Sequence, residues 1–333
     1  MARQRADQTG DGEMAARAAW LHYAGGLTQS AIAERFGIPV TRAHRMIAKA
    51  ARDGLVRVFV DAEVAGCVAL EERLKARFAL ESCLVAPDLG DPDPLRAIGL
   101  AAARMLTGVL ERRKPAVVGV GHGRTLSAAV RELPTLDARA FRFVSLLGGL
   151  TRSFAANPYD VIHRLTERTG AEGFLVPAPL FANTPEDQRI LLAQTGLADI
   201  RALWSEAEIC LLGVGAVDPE GSIARANVFD PEHSLAEIRA AGARAEVLGQ
   251  FLDAEGRVLN TRYDGRLIAA DLAALKGREV HAVAGGADKT AALDAALRSG
   301  VFTGLITDEA TARGLAREAD GAQASAVYAR AGP

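Results

Sequence analysis

The sequence predicts an α/β protein of two unequal parts: a small N-terminal helix-turn-helix domain, winged-helix-like, and a large α/β domain of Rossmann-like organisation. Three observations predict it. The chain is 333 residues long, and single hydrophobic cores stop growing near roughly 250 to 300 residues. Its first 60 residues read as short helical segments, whereas beyond about residue 80 short apolar runs alternate with helical stretches, the pattern of a mainly parallel sheet. Charge divides the same way: residues 1–60 hold nine Lys/Arg against five Asp/Glu, and the rest holds 30 against 36. A basic small end on an acidic large end suits only the former to a polyanion.

Composition narrows the class. Hydrophobic residues make up 49% and charged residues 24%, which is globular. No apolar run reaches the roughly 18 residues a membrane span needs. The first 20 residues lack the uninterrupted apolar core of a secretory signal, so a cytoplasmic protein is expected. Cys67, Cys83 and Cys210 are odd in number and widely spaced, without zinc or redox spacing. They are expected to be buried apolar residues, and no metal or cofactor is expected.

The elements follow in order. Glu13 to Ala24 favours a helix that stops at Gly25-Gly26. Thr28 can cap a second helix, with Ala31, Ile32 and Phe36 facing inward and Gly37 breaking it. Ile38-Pro39 leads into a third, VTRAHRMIAKAARD, where proline at a first-turn position gives up a donor with no intrahelical partner. Gly54 ends it, LVRVFVD reads as a short strand or wing, and Val64 to Phe78 reads as a helix linking the domains. The expected division is residues 1–61 for the helix-turn-helix domain, 62–80 for the linker helix and 81–333 for the α/β domain. Strands are expected at Cys83–Ala86, Ala116–Val120, Phe141–Leu147, Gly173–Val176, Glu208–Leu212, Val280–Ala284 and Gly304–Ile306. Several end in glycine-rich turns, and in open parallel sheets ligands bind at those carboxyl ends.

The segment LTQSAIAERFGIPVTRAHRMIAKAARDGL has helix-turn-helix spacing. Ala43, Met46 and Ile47 face inward, leaving Thr41, Arg42, His44 and Arg45 toward a major groove, with Thr28, Gln29, Pro39 and Val40 at the helix starts. Arg can read guanine O6 and N7 through two hydrogen bonds, while Lys49 and Arg57 suit phosphates. An ordinary helical hairpin with a solvated basic face is the competing explanation. Five Lys/Arg against one Asp across Ile38–Val58 favour double-stranded DNA.

A second constellation lies at the strand ends. In Gly119-Val-Gly-His-Gly-Arg-Thr125, backbone N–H groups can converge on an anion at a helix start. Arg124 stands where a dinucleotide fingerprint needs its third glycine, and the turn lacks the lysine of a nucleoside-triphosphate loop. Taken alone the turn has a purely structural explanation too. Gly148-Gly149 with Arg152, Asp253 and Lys289 add donors, a carboxylate and an ammonium at other strand ends. Lys289 opens a helix against its dipole, which either a salt bridge to Asp288 or an anionic ligand would explain.

With both constellations in view, the chain resembles the SorC family of sugar-binding transcriptional regulators, grouped with DeoR-type repressors. The resemblance rests on LTQSAIAERFGI, GVGHGRTL, LLGGLTR, LVPAPLF, GQFLDAEG and the closing VHAVAGGADKTAALDAALRSGVFTGLITDEATA. It implies an α/β domain similar to ribose-phosphate isomerase and glucosamine-phosphate deaminase folds that binds an effector without turning it over. The pocket it implies holds Gly121, His122, Gly123, Arg124, Thr125, Gly148, Gly149, Arg152, Asp253 and Lys289. The family commonly carries Ser-Trp where this chain has Gly121-His122, which removes an indole wall and a hydroxyl. A sugar, a sugar phosphate and a free polyol thus remain effector classes, with a carbohydrate or erythritol-type polyol operon as target. A homodimer or homotetramer acting on operator DNA is the implied assembly, with no catalytic residue. The alternative is a sugar-phosphate isomerase or deaminase with an accessory helical domain, Asp253 as base and Lys289 as electrostatic stabiliser.

Overall fold

The computed structural model describes residues 2–52, 55–56, 65–90, 93–150, 161–218 and 235–317, with backbone alone for 2–11, 52 and 65. The chain forms two compact units, Met1–Ala62 and Glu63–Pro333.

The smaller unit contains α1 (Ala2–Tyr23), α2 (Gln29–Phe36) and α3 (Val40–Arg52). α1 begins well before Glu13, because residues such as Arg3, Gln4 and Arg5 favour helix without adding an apolar stripe that periodicity could register. The Thr28 hydroxyl accepts the Ala31 N–H at 3.2 Å and starts α2. Gly37 ends it at φ 64°, a left-handed conformation that glycine adopts without a Cβ penalty. Ile32 and Ala33, more than Ala31 and Phe36, fill the core with Ala43, Met46, Ile47 and Ala50 of α3 and Ala15, Ala18 and Ala19 of α1. Pro39 precedes α3, and its carbonyl accepts from Arg42 and Ala43. Gly54 and most of the expected wing, residues 57–61, lie outside the described residues.

The larger unit opens with α4 (Ala65–Phe78), followed by β1 (Ser82–Ala86), α5 (Leu95–Arg112), β2 (Val117–Val120), α6 (Arg124–Glu132) and β3 (Arg142–Ser145). Next come α7 (Val161–Thr169), β4 (Glu172–Phe174), α8 (Pro185–Leu192), α9 (Thr195–Glu206), β5 (Ala207–Leu212) and β6 (Gly215–Ala216). The described part ends with α10 (Leu235–Ala240), β7 (Ala245–Val247), β8 (Gln250–Leu252), β9 (Glu279–Val283), α11 (Thr290–Arg298), β10 (Gly304–Asp308) and a helical stretch over 309–317. Seven strands form one sheet in the order β1-β10-β9-β5-β2-β3-β4, and every pairing is parallel.

Helices cover both faces, as a parallel sheet requires. Val118 and Val120 of β2 pack with Ile98 and Leu106 of α5, Leu126 of α6 and Leu165 of α7. Val117 belongs to the opposite core, with Leu74 of α4, Trp204 of α9 and Leu293 of α11. This alternation along β2 is the period of two of a strand buried on both sides. The helix expected to serve as a linker is instead a packed element of the larger unit: Cys67, Leu70 and Leu74 of α4 are buried in its core.

The three short antiparallel strands β6-β7-β8 form a separate sheet that the sequence reading did not anticipate. Two or three residues are too few to show alternation. From β2 the chain winds outward through β3 to β4, while from β5 it winds the other way through β9 to β10. The sheet therefore reverses direction between β2 and β5, and the crevice at such a reversal is where open α/β sheets bind ligands.

Candidate functional site

A cleft opens at that reversal. The turn Gly121–Gly123 leaves β2, Gly213–Gly215 leaves β5, and both line it with Arg124, Thr125, Glu246, Leu248 and Lys289. Gly121 N–H donates to Leu211 O at 2.8 Å, extending the β2–β5 ladder to the cleft floor. Gly123, at φ 127° and ψ 173°, precedes α6 without any side-chain cap. Ser127 N–H bonds Gly123 O, so the N–H groups of residues 124–126 come before the first intrahelical bond and carry the positive end of the helix dipole. Gly213 permits close approach, since a Cβ there would stand 2.9 Å from His122 O.

His122 lines the cleft. Its Nε2 meets Ser145 Oγ at 3.1 Å, and Ser145 Oγ donates its one proton to Leu147 O at 2.8 Å. The imidazole must then be the donor to serine, which places a proton on Nε2. Ser145 O in turn accepts from Trp204 Nε1 at 2.8 Å, tying the cleft wall to α9.

Charge in the cleft is unbalanced. Burial holds the Lys289 ammonium below its usual range, and Arg124 pushes the same way, against Asp288, Asp218 and Glu246. Burial lifts the Glu246 carboxyl to about 7, opposed by the Gly249 N–H and by Lys289. Glu246 Oε1 accepts that N–H at 2.6 Å. Between them, Leu248 turns the β7–β8 hairpin at φ 52°, a left-handed conformation costly for a bulky residue, and its side chain is buried. Asp218 Oδ1 is buried with no hydrogen-bond partner among the described residues. Two cations facing a glycine-lined helix start form an arrangement that can hold an anionic or hydroxyl-rich group.

A second cleft, with a cavity volume of about 500 Å³, lies over the ends of β1, β9 and β10 and is lined by Asp88, Asp93, Asp308 and Glu309 among others. Arg124 and Lys289 line both clefts. Asp308 and Glu309 stand at the start of the last described helix, where carboxylates complement the helix dipole. Asp308 also fastens the neighbouring turn by accepting from Gly286 N–H at 3.0 Å.

The structure thus brings together Gly121, His122, Gly123, Arg124, Thr125 and Lys289. Asp253 stands apart from this group. Its carboxylate accepts the N–H groups of Glu255 and Arg257 and the Arg257 guanidinium at 2.8 to 3.0 Å and lines neither cleft. Burial works to raise its pKa, but the bonds from Arg257 and Glu255 leave it lowered. The Gly148 and Gly149 N–H groups go to Ile268 O and Ala178 O, and the flanking Leu147 and Leu150 line the cleft. Arg152 lies outside the described residues. The sequence reading missed Glu246 and Leu248. The turn at Gly213–Gly215, a glycine-rich turn after a strand, also lines the site.

On α3, Val40, Thr41, Arg42, His44, Arg45 and Lys49 are exposed, opposite Ala43, Met46 and Ile47, with Pro39 exposed ahead of them. Thr28 is exposed and Gln29 half-buried at the start of α2. Arg57 lies outside the described residues. Burial pushes the Cys83 and Cys210 thiols up to about 12. No group of metal-ligating side chains occurs among the described residues, and no described helix is long and apolar enough to cross a membrane.

A family model described as "Putative sugar-binding domain" matches residues 62–317. The chain is 45% identical over 312 residues to the erythritol catabolism regulatory protein EryD of Brucella abortus, covering 93% of this chain and 98% of that protein. It is 31% identical over 308 residues to the transcriptional regulator LsrR of Escherichia coli K12, covering 92% and 95%. Its fold is similar to that of the full-length sorbitol operon regulator SorC from Klebsiella pneumoniae, with a TM-score of 0.69, 23% identity, and 92% and 99% of the two chains covered.

Proposed function

We propose that this chain, which belongs to the SorC-type family of sugar-binding transcriptional regulators, is a repressor of a carbohydrate or polyol catabolic operon. Its α3 engages the major groove of double-stranded operator DNA through Thr41, Arg42, His44 and Arg45, with Lys49 on the phosphates. A small sugar, sugar phosphate or polyol binds the cleft between β2 and β5 and lowers operator affinity. The protein acts in the cytoplasm as a homodimer or homotetramer, because symmetric half-sites are read by symmetric assemblies.

The observation that carries this reading is the convergence of the Gly121–Gly123 turn, Arg124 and Lys289 at the sheet's reversal, in a chain that aligns nearly end to end with an erythritol catabolism regulator. Erythritol and its phosphate are therefore the first compounds to test. The relatives are regulators, and nothing in them favours an isomerase or deaminase. The base which that alternative needs, Asp253, is engaged by its own turn.

The test uses a duplex selected by the wild-type protein from a random pool, and a thermal-shift screen of erythritol, longer polyols and their monophosphates. Arg42→Ala with Arg45→Ala should weaken binding of the selected duplex by roughly 30-fold or more, since each bidentate base contact is worth about 1–3 kcal/mol. The same variant should keep the ligand-dependent thermal shift. Lys289→Ala should show the reverse, with duplex binding kept and the shift lost. Undiminished duplex affinity in the double variant would remove α3 from the base-reading role.

A further inference from the structure

One helix grows from the turn that carries Lys289, and a second, which follows β10, starts beside that turn. α11 begins at the next residue, and the helical stretch 309–317 begins beside Asp308. Their starts are fastened together. Gly286 N–H donates to Asp308 Oδ2 at 3.0 Å and to Thr311 Oγ1 at 2.9 Å, and Thr311 N–H and Oγ1–H return to the same carboxylate at 2.9 and 2.6 Å. Asp308 and Thr311 are buried, so these bonds fasten the turn to the second helix away from solvent. The helices also touch further along, where Gly314 leaves just enough room for Thr290.

Both helices then meet one side chain on α4. The Arg77 guanidinium donates to Leu315 O in the second helix and to Asp294 Oδ1 of α11 at 2.5 Å. Asp294 Oδ2 takes the Arg298 guanidinium at 2.6 Å. The Arg77 and Asp294 side chains are only 14% and 13% exposed, so the pair is shielded from water and screening salt. Arg77 also lies 4.6 Å from the Phe78 ring centre. Arg73, one turn earlier, donates to Ala316 O at 3.4 Å. A planar guanidinium bonded to an acceptor on each of two helices strains one of its hydrogen bonds when either helix shifts against α4.

We propose that Arg77 is a coupling residue: when the cleft fills, it gathers the displacement of the helix that leaves the Gly285–Lys289 turn and of the helix hydrogen-bonded to that turn, and passes it to α4. α4 is the first helix of the larger unit, next in the chain after the boundary with the DNA-binding unit. The proposal rests on the regulatory reading above. Arg77 binds neither DNA nor effector, and its effect is confined to the dependence of one on the other.

The experiment measures affinity for the selected duplex by fluorescence anisotropy, with and without erythritol or erythritol 4-phosphate, for wild type, Arg77→Ala, Arg77→Lys and Asp294→Asn. Coupling in regulators is typically about 5- to 150-fold. Arg77→Ala should bring it to within about twofold of none, while duplex affinity without effector stays within about threefold of wild type and the thermal shift persists. Arg77→Lys, which loses the two-pronged guanidinium, and Asp294→Asn, which removes the charge from one arm, should give intermediate coupling, and they carry the test if Arg77→Ala fails to fold. A residue with only a structural role would lower the melting temperature and leave coupling untouched. Wild-type coupling in all folded variants overturns the relay. A wild type that binds the duplex but ignores both compounds overturns the effector reading beneath it.

Discussion

Glu246 shows how far a residue's role depends on neighbours remote in sequence. In ARAEVLGQ nothing distinguishes it from a surface glutamate. In the fold it stands in the cleft, and burial raises its carboxyl from 4.5 to about 7. The folded protein then holds a proton over that interval that the unfolded chain has lost. The associated stability is complete below about pH 4.5 and disappears as pH rises through 7, amounting to no more than ~3 kcal/mol. Glu246→Gln should flatten that loss: from pH 5 to 8 the wild type should lose denaturant midpoint relative to the variant. Parallel pH profiles would show the carboxyl to be ionised throughout. Asp253 is the opposite case, since its sequence setting after a strand suggests a pocket carboxylate. An aspartate at a turn competes for nearby backbone N–H groups, and here Glu255 and Arg257 supply them.

Among the elements, legibility followed length. Every strand of the parallel sheet lies within a few residues of its expected position, because short, mostly apolar runs between helical stretches mark buried strands. α4 lies where the helical period put it, and its packing into the larger unit was not legible, since a helical period does not reveal what its apolar face meets. The hairpin β7–β8 was invisible: its turn is Leu248-Gly249, at φ 52° and 80°, where turn chemistry favours Asn-Gly. The start of α6 offers the sharpest test at this scale. Gly123, at φ 127° and ψ 173°, occupies a region essentially closed to residues with a Cβ, and forcing one there costs about 1–3 kcal/mol. Gly123→Ala should lower stability by that amount in urea melts and abolish the ligand-dependent thermal shift, while duplex binding survives. An alanine variant that still gives the full shift would mean that the turn is structural scaffolding and not an anion cradle.

At the scale of the whole molecule, the proposed assignment of DNA to the smaller, basic unit makes the number of protomers on DNA measurable. Log affinity falls against log salt with a slope near −0.9 for each phosphate neutralised. Lys49 is exposed on α3 with the base-reading candidates, so each bound protomer should contribute one such contact through it. Lys49→Ala should therefore flatten the slope by about 1 for a single bound chain, about 2 for a dimer on two half-sites and about 4 for a tetramer engaging four. Lys114, exposed in the larger acidic unit, is the control: Lys114→Ala should leave the slope unchanged. A flattening near 2 with an intact control would place two copies of α3 on one operator. A slope insensitive to Lys49 would mean that the basic excess of residues 1–60 does not touch the phosphates, and would return α3 to the solvated helical face with which DNA binding first had to compete.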